Sequence, residues 1–292
     1  MTSTARAWLD GARPRTLPAS VTPVLVGTAV AYAEDGIVWW RALLAMLVAV
    51  ALQVGCNYAN DYSDGIRGTD EHRVGPARLV GSGLARPRTV LVTAVCCFAV
   101  AAVVGLVLAV VTTLWLLAVG APALAAAWFY TGGSRPYGYR ALGEISVLVF
   151  FGVVPVVGTA FVQTEQLSWL ALWCSLPVAF LVVDLLVVNN LRDIPTDAAA
   201  GKRTLAVLLG DRGTRRLYVV LLAAALAGTV AVIVLRPWSA LALLAIPLAW
   251  LPLRLVVGGA TGAPLVLALR DTGRLELAYG VLLTAGLTLS AV

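Results

Sequence analysis

Two short stretches of the sequence carry the same spacing of amide and carboxylate side chains. Each has an asparagine, an aspartate four positions later and one further aspartate: Asn57, Asp61 and Asp64 in the first, and Asn189, Asp193 and Asp197 in the second. Clustered carboxylates repel one another, whereas a divalent cation holds them together as oxygen ligands. Mg²⁺ prefers one or two carboxylates together with waters and substrate phosphate oxygens. The two stretches, called here the first and second acidic motifs, therefore predict a site at which Mg²⁺ holds a diphosphate.

Helix geometry directs the three members of each motif to one side. At 100° per residue, the first motif spans about 60° of a helix and the second about 80°. Gly65 and Gly68 are expected to end the first helix, so the direction of Asp70 is not predictable. Pro195 is expected to distort the second helix, which leaves Asp197 less well defined than Asp193.

Basic residues stand beside both motifs and would complete the neutralisation of a diphosphate. They include Arg73, Arg78, Arg135, Arg192 and Lys202. Lys202 is the only lysine among 21 basic residues, and its compact charge suits a phosphate. Chance in the amino-acid composition would explain the single lysine almost as well as a functional role. For any one arginine, an ordinary solvated loop position is as good an explanation as substrate binding.

The amino-acid composition indicates which kind of secondary structure must position the acidic and basic side chains. Of the 292 residues, 60% are apolar and 12% charged, and the mean hydropathy is +0.91. Soluble domains carry about 25% charged residues, so a soluble enzyme, a disordered chain and a nucleic-acid-binding domain are excluded. The net charge of +6 does not indicate nucleic acid, because the charges lie between long apolar runs. The sequence predicts an all-α polytopic membrane protein.

Nine apolar stretches are long enough to be candidate membrane spans. They are roughly 17–33, 40–58, 89–111, 113–130, 144–163, 168–188, 217–235, 238–257 and 273–291. With this count, 19 of the 21 basic residues lie on the side where both motifs emerge, and only Arg41 and Arg236 lie on the other. Basic residues stay in the cytoplasm, so we expect the motifs to face inward.

At the two acidic motifs the chain resembles the UbiA superfamily of intramembrane prenyltransferases. Asn60, Asp61 and Asp64 match the family motif Asn-Asp-x-x-Asp-x-x-x-Asp, whose third aspartate falls on Gly68, with Asp70 two residues later. The shifted position of Asp70 is similar to the pattern of the branch that acts on 1,4-dihydroxy-2-naphthoate. The sequences of residues 73–83, 130–144 and 189–197 are similar to the same branch. The resemblance covers nearly the whole chain and implies one domain, 1–292.

The resemblance implies nine helices around a cavity that cytoplasmic loops cap, in a bacterial inner membrane. A polyprenyl diphosphate would be gripped by Mg²⁺ on Asp61, Asp64, Asp193 and Asp197, supported by Asn57 and Asn189. Its transfer to 1,4-dihydroxy-2-naphthoate, with loss of the carboxyl group, would give demethylmenaquinone, and the prenyl tail would leave into membrane lipid. The substrate-binding set would comprise Asn60, Asp70, Arg73, Arg78, Tyr130, Arg135, Tyr137, Asn190, Arg192 and Lys202.

Finer assignments stay open in the sequence. The acceptor carboxylate would pair with Arg73 or Arg78, and Tyr58, Tyr130 or Tyr137 would stabilise a prenyl cation through its ring face. Asp184 inside the sixth span and Glu144 at the start of the fifth are each either structural or functional. Another aromatic or lipid prenyltransferase, or a secondary transporter with an internal repeat, is the alternative function.

Overall fold

A computed structural model describes residues 3–69 and 78–291, and in this part of the chain the regular structure is helical. The α-helices are α1 (Ser3–Ala12), α2 (Pro18–Ala33), α3 (Trp39–Ile66), α4 (Pro87–Val111), α5 (Leu117–Phe129), α6 (Gly143–Val147), α7 (Val154–Thr164), α8 (Trp169–Ala199), α9 (Leu205–Leu235), α10 (Trp250–Val257) and α11 (Ala263–Leu289). A π-helical turn (Leu148–Val153) joins α6 to α7, and a 3₁₀ segment (Pro237–Ala249) leads into α10. The predicted site residues Asp70 and Arg73 lie outside the described residues.

The all-helical membrane fold is confirmed, but the predicted count of nine crossings is not. Within the described ranges, six helical stretches are long and apolar enough to cross a bilayer. A seventh is reached if Ala5–Thr16 and Pro18–Ala33 form one span with a 50° bend. The α5 helix has only 13 residues. The α11 helix is long enough, but its four charged residues lower its apolar character.

The α8 helix is the central element of the bundle. In its most apolar stretch 72% of the residues are buried, against 22–39% in the other five candidate spans. It packs against α2, α9 and α11 in the main hydrophobic core. A smaller core joins α1, α3 and α4. The second acidic motif therefore lies on the most enclosed helix of the protein.

Aromatic and basic side chains mark the end of the bundle that is opposite the motifs. Exposed tryptophans lie at this end, as expected for the interface between bilayer and water: Trp39, Trp40, Trp115, Trp169 and Trp238. Arg41 donates to the carbonyl oxygens of Val111 (3.1 Å) and Val162 (3.0 Å), in the last turns of α4 and α7. Arg236 donates to the carbonyl oxygen of Ala33, the last residue of α2, at 3.4 Å. Both basic residues predicted on this side thus cap helix ends.

The π-helical turn brings the α6–α7 segment against α8. A Cβ atom at Gly152, within this turn, would lie 2.2 Å from the Cβ of Ala179 on α8. No side chain larger than hydrogen fits between the two backbones at this point. The turn also places Phe150 and Phe151 in the wall of the cavity described next.

Candidate active site

One large cavity lies between α3–α5 on one side and α2, α7 and α8 on the other, with a volume of about 580 Å³. Its wall follows α3 from Ala45 to Asp64, a distance of about 28 Å at the rise of an α-helix. Among the described residues, the charged side chains in the wall lie at the motif end: Arg13, Asp64, Arg78, Asp193, Asp197 and Lys202. The remainder of the wall is mainly apolar, with Val48, Leu52, Leu108, Leu124, Phe150 and Phe151.

The first acidic motif lies on α3, which continues beyond its apolar span as far as Ile66. Asp64 is buried and faces the cavity. Its Oδ1 accepts a hydrogen bond from the hydroxyl of Tyr139 at 2.7 Å, and its Oδ2 lies 3.1 Å from the Nζ of Lys202. Both carboxylate oxygens are therefore held by residues that lie far away in the sequence.

Asp61 has a different environment from Asp64, although both belong to the first motif. Its two carboxylate oxygens accept the main-chain N–H groups of Leu79 and Val80, each at 2.9 Å. It is buried but is not among the described residues that line the cavity. Asp61 thus anchors the turn that carries Arg78, whose side chain does line the cavity.

The second acidic motif lies within α8, which continues through Pro195 to Ala199. The guanidinium of Arg192 donates to both carboxylate oxygens of Asp193 at 2.6 Å and to the side-chain oxygen of Asn189 at 2.9 Å. These partners are neighbours on the same helix. The pairing therefore holds the Asp193 carboxylate from the same helix, through two charge-assisted hydrogen bonds.

Lys202 joins the two motifs. Its Nζ lies 3.1 Å from Asp64 on α3 and 3.8 Å from the Oδ1 of Asp197 on α8. Asp64 of the first motif and Asp197 of the second therefore lie beside the same ammonium group. Within the described ranges, no three acidic, histidine or cysteine side chains converge into a metal cage made of protein alone. Two carboxylates beside a cavity do fit Mg²⁺, because this ion takes its remaining ligands from water and phosphate.

Tyr139 is a site residue that the sequence reasoning missed. Its ring lies beneath the Nζ of Lys202, 4.7 Å from the ring centre, and the guanidinium of Arg67 is 5.5 Å from the same ring. Burial, followed by the nearby Asp64 carboxylate, raises the pKa of Tyr139 above its ordinary value, so the hydroxyl stays protonated and donates. The available signal was its position in the run over 130–144, two residues after the predicted Tyr137.

Tyr130 and Tyr137 both line the cavity as a packed aromatic pair. Their ring centres are 5.6 Å apart at an interplanar angle of 85°. The Tyr137 hydroxyl donates to the carbonyl oxygen of Ala126 at 2.8 Å and lies 2.7 Å from the hydroxyl of Ser146. Burial raises the pKa of Tyr137 to about 12. Tyr58, the third tyrosine considered, instead donates to the carbonyl oxygen of Trp8 at 2.9 Å and packs on α1.

The amide side chains of the motifs line the cavity while making structural contacts. Asn57 donates to the carbonyl oxygen of Ala12 at 2.9 Å, which ties α1 to α3. Asn60 accepts the Thr131 hydroxyl at 2.7 Å. Asn190 donates to a carboxylate oxygen of Glu144 at 3.0 Å, which gives that buried acid a structural partner. Asn189 also belongs to the wall, and so does Arg13, which no sequence pattern had indicated.

Two predicted substrate-binding residues, Arg135 and Arg192, lie outside the cavity wall, and so does Asp184. Arg135 is exposed, and Arg192 is buried in its pair with Asp193. Asp184 is fully buried in α8, and its carboxylate oxygens have no hydrogen-bond partner within the described ranges. Its position away from the cavity favours the structural interpretation of this acid.

Comparison with known proteins identifies a family and individual proteins that are similar to this chain. The model of the UbiA prenyltransferase family matches residues 20–263. A Mycobacterium tuberculosis protein named 1,4-dihydroxy-2-naphthoate octaprenyltransferase is 52% identical over 280 residues, covering 96% of each chain. A Mycobacterium leprae protein with the same name is 51% identical, covering 97% of this chain and 96% of its own. A UbiA homologue of Archaeoglobus fulgidus, solved with GPP and Mg²⁺, shares the fold with a TM-score of 0.67 at 14% identity, covering 96% of this chain and 99% of its own.

Proposed function

Since the chain belongs to the UbiA prenyltransferase family, we propose that it transfers a polyprenyl group from a polyprenyl diphosphate to 1,4-dihydroxy-2-naphthoate. The acceptor loses its carboxyl group, and the product is demethylmenaquinone. The mycobacterial relatives that match almost the full chain carry this acceptor in their names. The UbiA-like domain extends over residues 1–292.

The observation that carries this proposal is the division of one cavity into a charged end and an apolar extension. Asp64, Asp197 and Lys202 meet at the charged end, where a diphosphate and a divalent cation would bind. The mainly apolar wall along α3, α4 and α5 accommodates a prenyl chain. A single cavity thus separates the two chemically different halves of a prenyl diphosphate.

Mg²⁺ is the cofactor that these residues fit. Asp64 and Asp197, with Asp193 in the same wall, would share its coordination with substrate phosphate oxygens. When bound, Mg²⁺ supplies positive charge that stabilises the departing diphosphate. The homologue of known structure that carries Mg²⁺ supports this choice.

The remaining chemistry falls to the chain itself. Breaking the allylic C–O bond places positive charge on the prenyl carbon, and the cavity excludes the water that would quench it. Tyr130 and Tyr137 line this cavity, and their aromatic rings would stabilise that charge. The electron-rich acceptor ring then attacks this carbon, and cleavage of the ring carbon–carboxylate bond releases CO₂ and restores the aromatic ring. Arg78, held at the cavity by the contact of its turn with Asp61, pairs with the acceptor carboxylate.

The protein is a multi-pass membrane protein, and we place it in the bacterial inner membrane with the cavity's charged end toward the cytoplasm. The excess of basic residues on that side supports this orientation. Both substrates carry anionic groups made inside the cell, so their entry from the cytoplasm is direct.

A product assay with purified protein tests the proposed function. Protein in detergent is incubated with Mg²⁺, a set of prenyl diphosphates and either 1,4-dihydroxy-2-naphthoate, 4-hydroxybenzoate or a tocopherol-type quinol precursor. We expect a decarboxylated prenyl product only from the naphthoate, identified by mass. Turnover of another acceptor alone assigns the chain to a different prenyltransferase branch. Consumption of no prenyl diphosphate in detergent, where no gradient exists, favours a transporter.

Cysteine labelling tests the orientation. In a background without the four native cysteines, single cysteines are placed at Ser134 and Ala199 on the motif side and at Gln166 on the other, all exposed positions. An impermeant maleimide should label only the Gln166→Cys variant in intact cells and only the other two in inverted vesicles. Ser63, inside the first motif, is buried and is not a suitable probe. Labelling of the Ser134→Cys variant from outside would reverse the orientation.

A further inference from the structure

We propose that Lys202 is an internal counter-ion of the two acidic motifs, which a divalent cation must displace before it binds Asp64 and Asp197. The proposal rests on the proposed function, because it concerns the metal that would hold the diphosphate. It assigns Lys202 a positioning role that precedes any contact with substrate. It also gives Tyr139 the task of holding Lys202 in place.

The first argument is the identity of the oxygens that Lys202 contacts. Its Nζ lies 3.1 Å from the Oδ2 of Asp64 and 3.8 Å from the Oδ1 of Asp197. The Lys202 side chain is only 12% exposed, so its ammonium group has little water to replace these partners. A metal ion that binds either oxygen competes directly with the ammonium group, since both are cations seeking the same lone pairs.

The second argument is the way in which the chain fixes Lys202. Its main-chain N–H donates to the carbonyl oxygen of Asp197 at 2.8 Å. This hydrogen bond keeps Lys202 next to Asp197 at the end of α8. Gly201 takes a positive φ of 74°, which favours glycine and turns the chain toward Tyr139. The N–H of Arg203 donates to the carbonyl oxygen of Tyr139 at 3.1 Å. Two main-chain hydrogen bonds therefore flank the lysine side chain.

The third argument is the double contact of Tyr139 with this pair. Its hydroxyl donates to the Oδ1 of Asp64, and its ring lies 4.7 Å from the Nζ of Lys202. The ring face attracts the ammonium group, while the hydroxyl leaves the Oδ2 of Asp64 directed at the same lysine. Tyr139 thus aligns both members of the ion pair. An ammonium group displaced by a metal remains beside the site, on a flexible stem that reaches phosphate oxygens.

The first experiment measures metal affinity without substrate. Mn²⁺, as a probe for Mg²⁺, is titrated into detergent-purified protein, and free Mn²⁺ is followed by electron paramagnetic resonance. We expect the Lys202→Met variant to bind Mn²⁺ about tenfold more tightly than the wild type, the scale of one hydrogen bond to a charged group. Lys202→Arg, which keeps the charge, should restore the weaker wild-type affinity.

A matched control separates this contact from the general loss of one positive charge. Arg203→Met removes a charge from the neighbouring position, whose side chain is exposed. This variant should bind Mn²⁺ within about twofold of the wild type, because long-range charge effects at an exposed position are screened. Equal tightening in Arg203→Met and Lys202→Met would overturn the proposal in favour of a non-specific charge effect.

The second experiment uses the wild-type chain, in which Lys202 is the only lysine. A small amine-reactive reagent is applied with and without Mn²⁺, and modification of Lys202 is followed by peptide mass. We expect Mn²⁺ alone to increase the labelling rate several-fold, because a displaced ammonium group leaves its carboxylate partners. The N-terminal amine reports any general change in reactivity. Labelling that is unchanged or slower with bound Mn²⁺ would contradict the exchange.

The outcomes distinguish this inference from the proposed function. If the wild type binds Mn²⁺ but Lys202→Met binds it no more tightly, the exchange is wrong and the metal-dependent transfer stands. If the wild type binds no divalent cation with or without prenyl diphosphate, both the exchange and the metal part of the proposed function are wrong. The product assay on the wild-type protein tests the transfer reaction separately. Its result does not depend on how tightly the Lys202→Met variant binds Mn²⁺.

Discussion

The two acidic motifs are alike in sequence, but their middle aspartates, Asp61 and Asp193, have different kinds of hydrogen-bond partner. In the second motif Asp193 is paired with Arg192, the preceding residue on the same buried helix. In the first motif Asp61 is held by the turn at Leu79 and Val80, and Asp64 by two distant side chains. Asp193 thus has a partner on its own helix, whereas Asp61 and Asp64 are held by residues of separate loops.

This difference shows that equal spacing along the chain does not give equal surroundings in the fold. Asp61 and Asp193 occupy the same place in the repeat, yet only Asp193 lines the cavity among the described residues. Asp61 anchors the turn that presents Arg78. Asp64 and Asp197, the last members of the two motifs, are the pair that Lys202 connects. The two halves of the site therefore meet through their final carboxylates.

Removal of divalent metal is expected to have the largest effect, because both motifs would share the same cation. Excess chelator should reduce turnover by at least about 10²-fold, and added Mg²⁺ should restore it. Product formation measured by mass checks this. Full turnover in the presence of chelator would show that the carboxylates act without metal.

Neutralising the connected pair tests whether the motifs work as one site. Asp64→Asn and Asp197→Asn should each lower kcat by about 10²-fold or more. The double variant should lose much less than the product of the two effects, since both residues share Lys202 and the proposed cation. Steady-state kinetics with the folded state checked by thermal melting provide the measurement. Fully multiplicative effects would separate the two motifs.

Asp61→Asn provides the sharpest contrast with Asp64→Asn. An asparagine can accept only one of the two N–H groups of Leu79 and Val80, so the turn should lose about 1–3 kcal/mol of stability. We expect a lower melting temperature, a raised KM for the naphthoate and a loss of turnover of only about tenfold. A loss as large as that of Asp64→Asn with unchanged stability would instead make Asp61 a metal ligand.

The smallest expected effects come from the amide partners of the two motifs. Thr131→Val removes the hydroxyl that Asn60 accepts and should cost about 0.5–1.5 kcal/mol of stability with a several-fold loss of turnover. Glu144→Gln keeps an oxygen for the N–H of Asn190 and should have little effect. Melting curves and kinetics of the two variants check this. A larger effect of Glu144→Gln would give that acid a role beyond structure.

Local spacing predicted much of the candidate site. The placement of the motif residues at the ends of α3 and α8, on the same end of the bundle, followed from repeat spacing and helix geometry. The role of Asp61 did not follow, because its partners are main-chain groups of a turn that no side-chain pattern encodes. Pro195 also disturbs the helix less than expected, since α8 continues through it to Ala199.

The sequence by itself determined the helical membrane class and the family, because these depend on composition and on short motifs. The tertiary structure decided which polar groups meet. Tyr139 and Lys202 reach Asp64 from 75 and 138 residues away, and only the packing of the loops over the end of the bundle brings them together. Contacts of this kind depend on three-dimensional distance and not on spacing along the chain. The number of crossings likewise depends on how helices such as α5 and α11 pack, which hydropathy alone does not encode.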